Sequence, residues 1–590
     1  MTEIIERPAA TTPAAEPNWG LTKFLDPLPV PPVLRPHNRE TITIPMVATR
    51  QKLHSQLPES TLWTYAGHFP GPTIEVRSGR QVRISWSNEI DGKIPLVAVQ
   101  GPVATAPASR PGRELDRDGY SIIEGVTDLP SWTVVHLHGA RTNAGNDGWA
   151  HNAGLKGTSQ LAEYQNRQQA MPLWYHDHAM AITRFNVHTG LAGMYLIRDD
   201  EEDALGLPHG DHEIPLIITD RNLDTDPATG ALTGQLLFKV PYVPPNGPLI
   251  PFSGPFNLVN GVIWPHLDVD ARWYRFRLLN AANSRFYTLN LVDENNVAHN
   301  EAVRLIGTDG GLLPAPAELP AGGLTVAPAE RFDVLIDFSR FKGQKLKLRN
   351  ADPALGTIEP DLMEFRVDGR AKRDPFQLPE KVSTSYQRLV HGSTLPDDHD
   401  HVWIALLLNA DGHPEMWDLQ EVDADPGGKG VIELQDPNGG LRTFRMNGRV
   451  FDDTTGIFID HDRWAVWNLV HLAGRPPAHP IHIHLTEFQA LFRRSFTTTF
   501  DPAAERTTTA IKGFTDVPLE KYEEGWKDTI IVNPGQWVSV AGRFGGGTGE
   551  FMFHCHILDH EDEGMMRPFV VHPPEVAKFH VHPGGHHHDG

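Results

Sequence analysis

Phe553-His554-Cys555-His556-Ile557-Leu558-Asp559-His560-Glu561-Asp562-Glu563-Gly564-Met565 contains the only cysteine of the 590-residue chain and surrounds it with imidazoles. A trigonal blue-copper centre takes one thiolate, two imidazoles and a weak axial thioether. Here Cys555 is followed by His560 and then by Met565, with Met566 beside it as the competing register. If residues 551–558 form a strand, successive side chains point to opposite faces. Cys555 then points one way while His554 and His556 point the other. One tripeptide would touch two metal sites in layers roughly 10 Å apart, joined by a short covalent path for electrons.

The other histidines show where the second site comes from. For 31 His in 590 residues, chance placement gives about one or two His-x-His pairs, yet seven are present. His399/His401, His580/His582 and His586/His588 lie in polar or terminal stretches and read as solvated. The remaining four, His136/His138, His176/His178, His482/His484 and His554/His556, follow or interrupt apolar, strand-like runs. On a strand each pair presents two imidazoles to one face, and together they supply eight nitrogens, enough for three copper ions with room for oxygen. His479, three residues before His482, is the candidate for the missing blue-copper imidazole.

His136-Leu-His138-Gly139, Trp174-Tyr175-His176-Asp177-His178, His479-Pro-Ile-His482-Ile-His484 and His554-Cys555-His556 through Met565 resemble the four copper motifs of multicopper oxidases, in the family's order and spacing. Within that family the chain is most similar to the spore-coat laccase, bilirubin oxidase and phenoxazinone synthase group. Further matching stretches are Phe69-Pro-Gly-Pro-Thr-Ile-Glu75, Asn260-Gly-Val-Ile-Trp-Pro265, Pro328-Ala-Glu-Arg331 and Gly525-Trp-Lys-Asp-Thr529. The resemblance implies four copper ions. Cys555, His479, His560 and Met565 would hold the type 1 ion, and His136 and His482 the type 2 ion. His138, His176, His178, His484, His554 and His556 would hold the type 3 pair. Asp147 and Glu561 match the family's acidic positions, expected to orient water and pass protons.

Each residue has a plainer reading. A lone buried cysteine is ordinarily a small inert hydrophobe, and the flanks of Cys555 are what overturn it. Zinc is the commoner partner of clustered His, but twelve candidate ligands exceed one zinc site. Met565 taken alone would be core packing, and Asp147 and Glu561 ordinary solvated carboxylates. The cluster Asp397-Asp398-His399-Asp400-His401 reads as a solvated acidic loop rather than an accessory metal site.

Frequent Gly and Pro between short β-branched and aromatic runs argue for β-sandwiches over helical domains. Three strand–turn–strand repeats, 71–88, 260–280 and 447–469, suggest three units. The expected fold is therefore all-β, three cupredoxin-like Greek-key sandwiches at 21–200, 201–375 and 402–575. Residues 1–20 and 576–590 are expected as tails and 376–401 as a linker. Copper motifs fall only in the first and third units, so the cluster should lie at their interface, with the middle unit as a spacer.

The net charge of −22 argues against nucleic acid as a partner. No apolar run approaches the roughly 20 residues that span a bilayer, and the first residues lack a basic segment followed by an apolar one. With a single cysteine, these features lead to the expectation of a cytoplasmic protein. The resemblance implies a laccase-like oxidase that couples oxidation of a small aromatic reductant (a phenol, an o-aminophenol or a tetrapyrrole) to reduction of dioxygen to water. A cuprous or other metal-ion oxidase would call for a Met-rich loop, and the 11 Met form no such cluster. A copper-binding electron carrier would not need the eight cluster histidines.

Overall fold

A computed structural model describes residues 18–245, 247–351, 359–435, 439–577 and 579. The stretch before residue 18 and the histidines from 580 onward lie outside the described residues. Strand Val82–Asn88 shows how sequence becomes layer: Val82, Ile84 and Trp86 are buried, whereas Arg83 is exposed and Ser85 and Ser87 are half-buried. Period-two alternation of this kind gives a sheet one apolar face, and two such faces close on each other.

Three sandwiches result. In the first, strands Val33–Leu34, Gly71–Arg77, Ala192–Arg198, Met171–Asp177 and Val135–His138 form one sheet; Ser60–Tyr65, Thr41–Gln51, Val82–Asn88 and Ser159–Tyr164 form the other. Tyr65, Trp86 and Tyr175 pack ring to ring in its core at 4.9–5.5 Å. The second joins a seven-stranded sheet that includes Trp273–Asn280 and Arg331–Asp337 to a five-stranded sheet around Phe276, Phe338 and Phe365. The third packs the five strands Phe458–Asp460, Met566–His572, Gly549–Cys555, His479–Ile483 and Thr529–Val532 against a ten-stranded sheet over Trp467, Phe544, Phe553 and Phe569. Among the described residues, the only pairing between Ala371 and Asp400 is an isolated His391–Leu395 bridge.

The repeat seen in the sequence has a structural meaning. Its two strands, Gly71–Arg77 and Val82–Asn88, His266–Ala271 and Trp273–Asn280, Phe458–Asp460 and Trp464–His471, belong in every case to different sheets. Each repeat is thus the corner where the chain crosses from one layer of a sandwich to the other.

One expected element is shorter than expected. The strand through the cysteine is Gly549–Cys555, not 551–558, and a short helix, Leu558–Asp562, follows. Five further extended residues would carry His560 about 16 Å beyond Cys555. The turn instead returns it to 3.8 Å from the sulfur.

Gly148 fixes the loop after the first copper motif. Its φ is 88°, and a Cβ there would fall 2.3 Å from the Val135 carbonyl oxygen. Gly148→Ala is therefore expected to destabilise the protein by at least about 1–3 kcal/mol, read as a lower denaturant midpoint at unchanged slope. An unchanged midpoint would mean that the loop shifts freely.

Candidate metal centre

Strand register performs the first step of assembly. His176 lies opposite His136 across Met171–Asp177 and Val135–His138, and His554 lies opposite His482 across Gly549–Cys555 and His479–Ile483. The two sheets, from opposite ends of the chain, then meet face to face. His136 stacks on His484 with ring centroids 4.0 Å apart, and His138 stacks on His482 at 3.6 Å.

Three foci form at this seam. The Nε2 atom of His554 lies 3.2 Å from that of His178 and 3.1 Å from that of His484. The outer nitrogens of these rings face carboxylates: His484 Nδ1 is 2.7 Å from Asp147 Oδ2, while His554 Nδ1 and His178 Nδ1 are 3.0 and 3.6 Å from Glu561 oxygens. His138, His176 and His556 form a second group. There His176 Nδ1 donates to the Asp177 carbonyl at 2.7 Å and His138 Nε2 donates to Asp528 at 3.1 Å, which leaves His176 Nε2 and His138 Nδ1 buried without partners. His136 and His482 donate from Nδ1 to the carbonyls of Asp147 and Asp528, at 2.6 and 2.8 Å, and their Nε2 atoms are likewise unpartnered.

The thiol lies on the other side of its strand. His479 Nδ1 and His560 Nδ1 are 3.5 and 3.8 Å from Cys555 Sγ. Met565 packs in the same apolar cluster as Cys555, whereas Met566 belongs to a separate cluster with Ala150 and Met552. Met565 therefore lies on the side of the thiol and Met566 does not.

The electrostatics are those of a dry site. Burial, reinforced by neighbouring imidazoles, pushes His136, His138, His176, His479, His482, His484 and His556 well below the ordinary imidazole range. His178 falls to about 4 and His560 to about 3 for the same first reason. These rings are neutral and keep their lone pairs. Burial also raises the Cys555 thiol and the Asp147 carboxyl. Burial would raise Glu561 as well, but its closeness to the His554 and His178 rings outweighs burial and holds that carboxyl below its usual range. Buried nitrogens that converge with no proton between them are costly unless a cation takes their lone pairs. Imidazoles, one thiolate and one thioether form a copper set.

All the candidate ligands are thus gathered in four places. Among the described residues, every group of His, Cys, Asp or Glu with donor atoms within 4.8 Å of one another comes from these motifs. The rings of His391, His399 and His401 approach to 4.8 and 5.5 Å, but they form no such group, and Asp398 and Asp400 pair with Arg463.

Sequence reasoning assigned no role to four buried residues of the site. Asp528 holds His138, and Arg331 holds Asp528 through both of its oxygens. Asp177 accepts from the Val134 and Ala179 amides and from Asn186, fixing the turn that carries His178. His471 stacks on His479 at 4.8 Å. The available signal was Asp528 itself, a carboxylate directly before the apolar strand Thr529–Val532, where an unpaired charge would be expensive.

Models of the multicopper oxidase family match residues 47–104, 114–202 and 424–575. A laccase of Bacillus subtilis is 32% identical over 94% of this chain and 99% of its own length. A bilirubin oxidase of Albifimbria verrucaria is 30% identical over 92% of this chain and 81% of its own. The crystal structure of the multicopper oxidase McoA of Aquifex aeolicus superposes with a TM-score of 0.66 at 24% identity, covering 93% of this chain and all of that one, and so shares the fold.

The raised thiol sets the direction of a proton measurement. Metal-free Cys555 keeps its proton at neutral pH, and a metal binds it as thiolate, so loading must release that proton. Titrating metal-free protein with copper in an unbuffered cell at pH 7 should release about one proton more per chain from the native protein than from Cys555→Ser. Equal release would show the thiol to be ionised beforehand or outside the metal's reach.

Proposed function

The chain belongs to the multicopper oxidase family, and from that membership and the geometry of its buried imidazoles we propose how its residues divide the copper and the chemistry. It is a laccase-like, copper-dependent oxidoreductase that takes electrons from phenolic and related donors and uses dioxygen as acceptor. In our reading Cys555, His479, His560 and Met565 hold a type 1 ion, and His136 and His482 a type 2 ion. His138, His176 and His556 hold one type 3 ion, and His178, His484 and His554 the other, four ions in all. The observation that carries this is the set of unpartnered or mutually facing ring nitrogens, which on His136, His138, His176, His482 and His484 stand opposite a second nitrogen tied to a carbonyl or carboxylate. Such outer partners fix tautomer and ring orientation at metal sites. The ligands come from sandwiches assigned to residues 21–200 and 402–575, with 201–375 between them and 376–401 as connection.

Bound copper supplies one-electron exchange at the thiolate site and four-electron reduction of dioxygen to water at the imidazole cluster. The protein's part is to shorten the path and exclude water. Cys555 belongs to one site and its neighbours His554 and His556 to the other, so a single peptide on either side of the cysteine joins them. A cavity of about 620 Å³ opens beside Glu563, the residue that ends the helix bearing His560, and is lined further by Gln100, Tyr242, Leu249 and His413. We assign it to the donor. Its mixed polar and apolar wall suits phenols and o-aminophenols, whose hydroxyl and amine can bond to Glu563, His413 or Gln100 while the ring lies on Leu249, Pro245 and Pro248. A thiol that can form no disulfide within its chain suits a reducing compartment, and a cytoplasmic location is part of this reading.

Oxygen consumption by the copper-loaded protein, measured over a panel of phenols, o-aminophenols and a tetrapyrrole, tests the function. Uptake should accompany a coloured coupling product, and Cys555→Ser should lose both the intense blue absorption and the uptake while remaining folded. A variant that stayed blue would remove Cys555 from the site.

Reduction of dioxygen consumes protons in a pocket of neutral imidazoles. Glu561, buried against the outer nitrogens of His554 and His178, is proposed to deliver such protons. Glu561→Gln should leave reduction by the donor at its native rate and slow reoxidation by oxygen at least tenfold, within the usual range for general acid catalysis. Stopped-flow mixing separates the two half-reactions. Slower reduction with native reoxidation would place Glu561 on the donor side instead.

A further inference from the structure

The middle sandwich supplies no copper motif, yet one of its side chains reaches the seam. Arg331, at the start of strand Arg331–Asp337, is fully buried. Its guanidinium donates from Nη1 to Asp528 Oδ1 at 2.6 Å and from Nη2 to Asp528 Oδ2 at 2.5 Å. The same group donates from Nε to the Pro172 carbonyl of the first sandwich at 2.9 Å. Asp528, just before a strand of the third sandwich, accepts from His138 Nε2 at 3.1 Å and offers its backbone carbonyl to His482 Nδ1 at 2.8 Å. All three sandwiches therefore meet at one aspartate, whose carboxylate holds one of the cluster's imidazoles and whose backbone carbonyl holds another.

The approach is close enough to constrain the backbone. Gly139, next to His138, has φ 87°, and a Cβ there would sit 2.6 Å from Asp528 Oδ2 and 3.1 Å from Arg331 Nη2. A side chain at this position would wedge the carboxylate away from the imidazole.

We propose that Arg331 is a positioning residue for the oxygen-reducing cluster, acting through Asp528 to hold His138 with Nε2 as donor and Nδ1 free to face the metal. This rests on the copper assignments above. The physical case is the tautomer. A neutral imidazole carries one N–H, and whichever nitrogen finds the better acceptor keeps the proton. A buried carboxylate accepts well only while it is held in direction, which a two-pronged guanidinium secures and a point charge does not. Were Asp528 free to turn, His138 could place its N–H on Nδ1 and lose its ligand atom. Lys527 stands beside the same seam, but its ammonium is engaged by Asp309 and Glu330 at 2.9 and 3.0 Å and does not reach Asp528's role.

Arg331→Lys keeps the charge and removes the fork. Metal-free native and variant proteins would be titrated with cuprous ion under argon and then exposed to air, following copper bound per chain, the blue absorption and the near-ultraviolet absorption of the coupled pair. The expected result is an undiminished blue band, a 10–100-fold weaker affinity for cluster copper and a near-ultraviolet band reduced by more than half. Native affinity with a full near-ultraviolet band would overturn the proposal. Loss of blue and near-ultraviolet bands together would overturn it too, by showing a general structural role. Should Arg331→Lys fail to fold, Asp528→Asn alters the same contact from the other side, with the same selective loss expected and unchanged cluster affinity as the refuting result. If the native protein bound no copper, the assignments themselves would fall; if it loads normally and the variants match it, only the role of Arg331 does.

Discussion

Everything in this molecule answers to one constraint: a group of buried imidazoles must sit in one seam with nitrogen facing nitrogen at 3.1–3.2 Å, and a thiol must sit on the far face of the same strand. Burial makes the imidazoles poor bases, and that keeps their lone pairs available for a metal. The cost of such a site is met by its outer edge. Carbonyls of Asp147, Asp177 and Asp528 and carboxylates of Asp147 and Asp528 take ring N–H groups, so His136, His138, His176, His482 and His484 are held in tautomer and direction, while Glu561 faces His178 and His554.

That edge explains the architecture. Two of the carboxylates come from the opposite end of the chain to the ring they hold: Asp147 binds His484, and Asp528 binds His138. The seam is thus laced in both directions. Glu561 faces His178 and His554 together, and Asp562, next to it, accepts the backbone amides of Thr183 and Arg184, which ties the helix bearing His560 to the helix Thr183–Thr189 of the first sandwich. A buried carboxylate without a countercharge would be costly, and the cations that answer these acids are drawn from neighbouring segments, Arg331 for Asp528 and Arg184 for Asp562.

Much of this was legible in the order of residues, for a reason that lies in strand geometry. Alternation at period two means that His-x-His on a strand is already a pair of ligands on one face, so His136/His138 and His482/His484 declare themselves without any tertiary information. Likewise Cys555 between two histidines must face away from them. The three-sandwich plan was legible because the same strand–turn–strand corner recurs at 71–88, 260–280 and 447–469. Alternation alone would carry the cysteine strand on to residue 558: nothing local marks its end at Cys555, and it stops there because His560 turns back to the sulfur.

The sequence by itself determined which atoms can bind a soft and redox-active metal, because ligand chemistry and face are properties of residue type and spacing. It could not determine how eight cluster imidazoles divide among sites, which of Met565 and Met566 shares the apolar cluster of Cys555, or that Asp528 and Arg331 belong to the site at all. Those depend on cross-strand register, on which sheet faces which, and on charges that approach from elsewhere in the chain. His138 and Asp528 are 390 residues apart, and only packing brings them to 3.1 Å. A hydrogen bond of that kind leaves no period and no local composition in the sequence, so the tertiary structure alone decides it.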